Sequence, residues 1–188
     1  MLALLLALAL AIALTMRRAR PLSLHLAHLG LRPMLRDFDA ICAAHGVVYW
    51  ADSGTLLGAV RDGGIIAHDD DIDVCVPAAS MQALCDAVRE GPDYAVWAED
   101  YCYKFGKIGV PEIWIDVFPV ALDEDGRVGP VNELARRTWP TGFYVAEELF
   151  PLRRAPFDGG GIWVPRDPLP YLARMYGDWR SPVVYARH

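Results

Sequence analysis

The sequence predicts one domain of the α/β (α+β) class, built on a small mixed sheet flanked by helices. Two observations carry this. Helix-like and strand-like stretches follow one another as helix, strand, helix, strand, helix, strands up to Arg127. No linker-like stretch divides the chain in two. The size agrees, since 188 residues with 54% hydrophobic content suffice for one sizeable core.

The elements follow in order. Leu24–His45 reads as a helix, with Leu24, Leu29, Leu31, Leu35, Phe38 and Ile41 at near-helical spacing and Pro33 as a potential break. "GVVYWAD" is rich in β-branched and aromatic residues and reads as a strand. Gly54-Thr55 ends it, and "LLGAVR" opens a helix. "DIDVCVP" is a second strand, stopped by Pro77. "ASMQALCDAVRE" is a helix closed by Gly91. "DYAVWAED" and "CYKFGKIGV" pair as a hairpin, and "EIWIDVFPVAL" is a further strand before the turn "DEDG". Beyond Arg127, frequent Pro and Gly predict loops and short strands wrapped around the core. "DPLPYLARMYGDW" opens with a helix, Pro168 standing near its start.

Composition narrows the function. The formal net charge of −6 argues against a nucleic-acid partner, which calls for a basic surface. The four cysteines, Cys42, Cys75, Cys85 and Cys102, form no CxxC pair and no zinc spacing, and read as buried or free thiols, with a disulfide as the alternative in an oxidising lumen. Residues 1–16 are an apolar run, "MLALLLALALAIALTM", followed by "RRAR". The run is short for a span, which takes about 20 residues. A basic stretch precedes the apolar one in a signal peptide, and here it follows. The reading is an N-terminal hydrophobic anchor, or else a signal segment, that makes the protein membrane-associated. The positive-inside rule puts the Arg-rich flank on the cytoplasmic side.

The most informative stretch is "IIAHDDDIDV", with Asp69, Asp70, Asp71 and Asp73 inside five residues. Alternate strand residues share a face, so Asp69, Asp71 and Asp73 point one way and Ile72 and Val74 point into the core. Same-face neighbours lie about 6.6 Å apart, close enough to converge on divalent ions. Hard oxygen ligands suit Mg²⁺ or Mn²⁺. Without a cation such crowding is costly, since each carboxylate disfavours ionisation of the next. Asp116 is the one charged residue in the apolar strand "WIDVFP", and the pattern leaves open whether it ligates or is satisfied by hydrogen bonds. In "SGTLLGAVR", Gly54 allows a phosphate to approach the backbone, Thr55 adds a hydroxyl and Arg61 adds a cation. By itself a glycine at a turn is usually only a turn; nearness to the acidic run gives it weight. His68 reads as a neighbour of the metal site. Lys104 and Lys107 fall on a predicted strand and could reach a phosphate, with surface placement as the default. An EF-hand fails, because the sixth and twelfth loop positions are Val74 and Ser80. A His-Asp phosphohydrolase would need more histidines than His25, His28, His45 and His188 beside His68.

"YWADSGTLLGAVRDGGIIAHDDDIDVCVP" resembles the signature of the LicD/fukutin family, "WIDVFPVALD" its second block, and "YLARMYGDW" its closing segment. The likeness runs from about Leu31 to Trp179, and so identifies residues 21–188 as a LicD-type domain. It implies the polymerase-β-like nucleotidyltransferase fold. It also implies Gly54 and Thr55 as donor-phosphate residues, Asp71 and Asp73 as the metal-binding pair, Asp69 just outside that pair, and Asp116 as the third carboxylate. The implied activity is metal-dependent transfer of phosphocholine or an alditol phosphate from a CDP-activated donor to a glycan hydroxyl. Family members work on the bacterial cytoplasmic side or in the eukaryotic Golgi and endoplasmic reticulum. Three positions depart from the pattern: His68 replaces Trp, Asp62-Gly63 replaces a basic pair, and Ser53 replaces a second Gly. The alternative of another class is a catalytically silent, membrane-tethered relative that binds a nucleotide or glycan beside an active transferase.

Overall fold

The computed structural model describes residues 24–110 and 112–181. The apolar run at residues 1–16 lies outside them. Among the described residues no helix is long and apolar enough to cross a membrane.

Helix α1 covers 24–44 without interruption. Leu31, Met34, Leu35, Phe38 and Cys42 form its buried stripe. Pro33 does not break it, because the proline stands on the exposed side, where the hydrogen bond it removes faces solvent. Strand β1 (Trp50–Ala51) is far shorter than the apolar run that predicts it. Val47 and Tyr49 are buried by packing, and only two residues pair with the next strand. Helix α2 (Ser53–Arg61) follows at once. Strand β2 (Ile72–Pro77) leads through a 3₁₀ turn (Ala78–Ser80) into α3 (Met81–Arg89). Strands β3 (Tyr94–Ala98) and β4 (Tyr103–Lys107) form the predicted hairpin, and β5 (Trp114–Leu122) is the longest strand.

These strands make one mixed sheet in the order β1-β2-β5-β4-β3. Among the described strands only β2 and β5 run parallel. Parallel neighbours need a long crossover, and here α3 and the β3–β4 hairpin supply it. Strand β6 (Arg127–Pro130) pairs with the far end of β5, and β7 (Tyr144–Val145) pairs with β6. Ile72, Val74, Ile115, Val117 and Phe105 are fully buried. They occupy alternate positions on neighbouring strands and so share one face of the sheet. Phe38 of α1 meets Phe105 edge-on at 5.0 Å, which places α1 on that face.

The C-terminal third is more ordered than its Pro and Gly content suggests. Helix α4 (Glu133–Thr138) is capped by Asn132, whose side chain accepts from the Ala135 N–H. After it come α5 (Ala146–Leu149), the hairpin β8 (Arg153–Phe157) and β9 (Gly160–Val164), and α6 (Leu169–Tyr176). Asp158, at the tip of that hairpin, donates its N–H to the Gly63 carbonyl, accepts from the Ile65 N–H and pairs with Arg32 at 3.0 Å. Arg154 forks onto Asp39 at 2.7 and 3.0 Å. The hairpin thus ties α1 to the loop between α2 and the acidic run. All four cysteines are free thiols, three of them buried.

Candidate metal and phosphate site

The parallel pairing of β2 with β5 sets Asp73 directly across from Asp116. On the adjoining antiparallel pair Lys104 is opposite Asp116, and on the next pair Trp97 is opposite Lys104. Directly paired residues share a face, so Trp97, Lys104, Asp116 and Asp73 form a row across four strands. That row lies on the face opposite α1. Carboxylate oxygens of Asp71, Asp73 and Asp116 come within 4.8 Å of one another. The fully buried Ile72, Val74, Ile115 and Val117 hold these acids from behind.

The electrostatics follow from this crowding. Burial, then the charges of Asp71, Asp116, Asp52 and Asp69, hold the Asp73 carboxyl well above its ordinary value of 3.8. Lys104 Nζ donates to Asp116 Oδ1 at 2.7 Å and lies 4.2 Å from the Trp114 ring centroid. The Cys102 thiol is pushed up to about 12, chiefly by burial and then by the Asp116 charge. It is therefore a poor nucleophile despite its place beside the acids.

The start of α2 reaches the same strand. Thr55 Oγ1 accepts the Asp73 N–H at 2.8 Å, which leaves the hydroxyl hydrogen for another partner. The room a Cβ would need at Gly54 is taken by Asp69, whose Oδ2 would lie 2.8 Å from it. This glycine therefore lets the acidic run approach the helix. Asp69 itself precedes β2, so strand alternation does not govern it. His28 Nε2 stands 2.7 Å from the Asp69 carbonyl oxygen, and His68 Nε2 is 4.0 Å from Asp69 Oδ1. Asp70 is exposed. Arg61 is at the other end of α2, roughly 10 Å of helix rise from Thr55, and forks onto Asp62 at 2.9 and 2.8 Å. The structure thus brings together Asp71, Asp73, Asp116, Thr55, Gly54 and Asp69, and holds Arg61 apart.

Two features escape the sequence reading. Surface placement is the default for Lys104 beside a phosphate contact, yet its side chain is only 18% exposed and is held by Asp116. Its signal was the pairing of β4 with β5, which no local pattern reveals. Lys107 is exposed, as expected. The second feature is Asp52, buried just before α2. Its Oδ1 accepts hydroxyls from Tyr144 at 2.6 Å and Tyr171 at 2.8 Å, whose rings stack 4.1 Å apart. Residues from β7 and α6 thus fix the turn that carries Gly54 and Thr55.

Paired acids on adjacent parallel strands, a third acid beside them and a Gly-Thr helix start define a nucleotidyltransferase-type domain. The match of residues 46–167 to the LicD/FKTN/FKRP nucleotidyltransferase domain names the family, and the chain belongs to it. It is 28% identical over 161 residues to an uncharacterized protein of Rickettsia prowazekii, covering 85% of this chain and 59% of the relative. A Rickettsia typhi counterpart is 30% identical over 167 residues, covering 85% and 50%. The chain thus spans 59% and 50% of the length of these two relatives. LicD, the lipopolysaccharide cholinephosphotransferase of Haemophilus influenzae, is 40% identical over 53 residues, covering 28% of this chain and 20% of that one. Among solved structures the chain is similar to ANT(2")-Ia in complex with adenylyl-2"-tobramycin. That match has a TM-score of 0.47 and 16% identity, over 71% of this chain and 67% of that one.

The donor set fits a hard divalent cation. It offers carboxylate oxygens only, in a site where Asp73 resists ionisation without a counter-charge.

Proposed function

We propose that this protein transfers a phosphocholine or alditol-phosphate group from a CDP-activated donor to a glycan hydroxyl. The carrying observation is the Asp71, Asp73 and Asp116 cluster, seated against the Gly54-Thr55 helix start within a LicD-family domain. Asp71, Asp73 and Asp116 would hold Mg²⁺ or Mn²⁺, with Asp69 at the margin. Such an ion neutralises charge on the diphosphate in phosphoryl transfer.

The chain's own residues supply the rest. Thr55, with the free N–H groups at the start of α2, faces a phosphate oxygen. Gly54 leaves room beside the helix start, which the Asp69 carboxylate fills and must yield to a phosphate. Asp116 accepts or orients the proton of the acceptor hydroxyl. The oxygen so exposed attacks the distal phosphorus, the bond to the bridging oxygen breaks, and CMP leaves. The site's low exposure limits competition from water. Arg61 contributes to anion binding only if it leaves Asp62. The apolar segment at residues 1–16 is assigned to membrane association, with the glycan acceptor near that surface.

The test is CMP release by the full chain in detergent from CDP-choline and a panel of CDP-alditols, with a glycan acceptor and Mg²⁺. Asp71→Ala and Asp73→Ala are expected to reduce turnover by about 10²–10³-fold or more, the scale of losing a main electrostatic stabiliser. Asp116→Asn is expected to lose rate while donor binding largely remains. Full activity in the Asp71→Ala/Asp73→Ala double variant contradicts the assignment. A chain that binds CDP but releases no CMP from any donor fits the silent-relative alternative instead.

A further inference from the structure

Asp116 is already engaged. One of its two oxygens accepts a 2.7 Å bond from Lys104 Nζ, and the same ammonium lies over the Trp114 ring, 4.2 Å from its centroid. Both side chains are largely covered, at 18% and 12% exposure, so this contact is not a loose surface pair. Trp114 and Asp116 are two residues apart on one face of β5, and Lys104 is directly opposite Asp116 on β4. The ammonium is therefore fixed at the edge of the three-carboxylate cluster. A divalent cation drawn into that cluster would compete with Lys104 for Asp116 and would repel its charge. The displaced ammonium then needs another anion within reach of a flexible four-carbon stem. A diphosphate held at the same cation supplies one.

We infer that Lys104 is a donor-diphosphate-binding residue, held on Asp116 until cation and nucleotide arrive together. This rests on the proposed function, because it takes Asp71, Asp73 and Asp116 as cation ligands. It goes further by making the lysine a coupler. With no nucleotide, Lys104 weakens cation binding by occupying Asp116. With both bound, it pairs with a phosphate oxygen and tightens the ternary complex. Cation and diphosphate then bind cooperatively, and each must raise the other's affinity by the same factor. No covalent step is involved.

The experiment measures Mn²⁺ affinity of the full chain by electron paramagnetic resonance, with and without CDP, in wild type, Lys104→Met and Lys104→Arg. Thermal melts establish that each variant is folded. Lys104→Met is expected to bind Mn²⁺ alone at least threefold more tightly than wild type, and CDP at saturating Mn²⁺ about tenfold more weakly. Lys104→Arg, which keeps the charge, is expected to retain most of the coupling. Unchanged or weaker Mn²⁺ binding by a folded Lys104→Met variant overturns the inference, and so does unchanged CDP affinity. Wild-type protein that binds no Mn²⁺, with or without CDP, removes the cation site itself and overturns the proposed function along with this inference.

Discussion

Asp73 answers two opposed demands. Its backbone is locked into the sheet and into the Thr55 hydroxyl, while its carboxylate sits among other acids. The proton is consequently held more tightly in the folded chain than in the unfolded one. The sign of the linkage follows. A folded-state carboxyl pKa above the unfolded value means that the native state binds more protons. Stability then falls as pH rises from the ordinary value of 3.8 towards the raised one. Thermal melts in EDTA across that window should show Asp73→Asn losing this pH-dependent decline and exceeding wild type at its upper end. Mg²⁺ should raise the melting temperature of wild type and much less that of the variant, because a ligand stabilises only the state that binds it. An Asp73→Asn variant with the wild-type pH profile would count against this account. Lys104 shows the limit of residue-level reading, since an isolated lysine in an exposed-looking hairpin gives no sign of its partner.

At the scale of elements, β2 and β5 were legible because alternation and β-branched residues agree along both. Their parallel pairing was not, and it is the pairing that turns two separate acidic motifs into one cluster. Strand β1 was overestimated, because Val47 and Tyr49 are apolar for packing rather than for pairing. The C-terminal region gave only its last helix clearly. The clasp of Asp158 on the α2–β2 loop and the bond from Tyr144 to Asp52 join residues more than 90 positions apart. The start of α2 carries a further test. Ser53 has φ +45°, in the left-handed region, where the resembled family commonly has Gly. A non-glycine residue there costs roughly 1–2 kcal/mol, partly offset by glycine's greater freedom when unfolded. Ser53→Gly should therefore raise stability by about 0.5–1 kcal/mol in chemical denaturation, with the site left intact. A clear loss of stability would show that the Ser53 hydroxyl contact with Asp52 outweighs the strain.

Across the whole molecule, the sheet divides its labour between two faces. One is sealed by α1 through Phe38 and Phe105. The other carries the row from Trp97 to Asp73, and its turn is fixed from the far end of the chain by Tyr144 and Tyr171 on Asp52. The C-terminal elements are thus part of the site's support. The long first motif made the fold class legible and marked Asp71 and Asp73 as candidates, while Asp116 stood in the second block. The burial of Lys104 on Asp116 and the seating of Asp52 under Tyr144 and Tyr171 needed the assembled fold. The central claim is that the acids form a cation site on which a cytidine diphosphate group is held. Its most direct test is calorimetric titration of CDP into the full chain, in Mg²⁺ and in EDTA, for wild type and the Asp71→Ala/Asp73→Ala variant. The account predicts CDP binding by wild type in Mg²⁺ alone, and none by the variant in either condition. Equal CDP affinity in EDTA, or in the double variant, would contradict it.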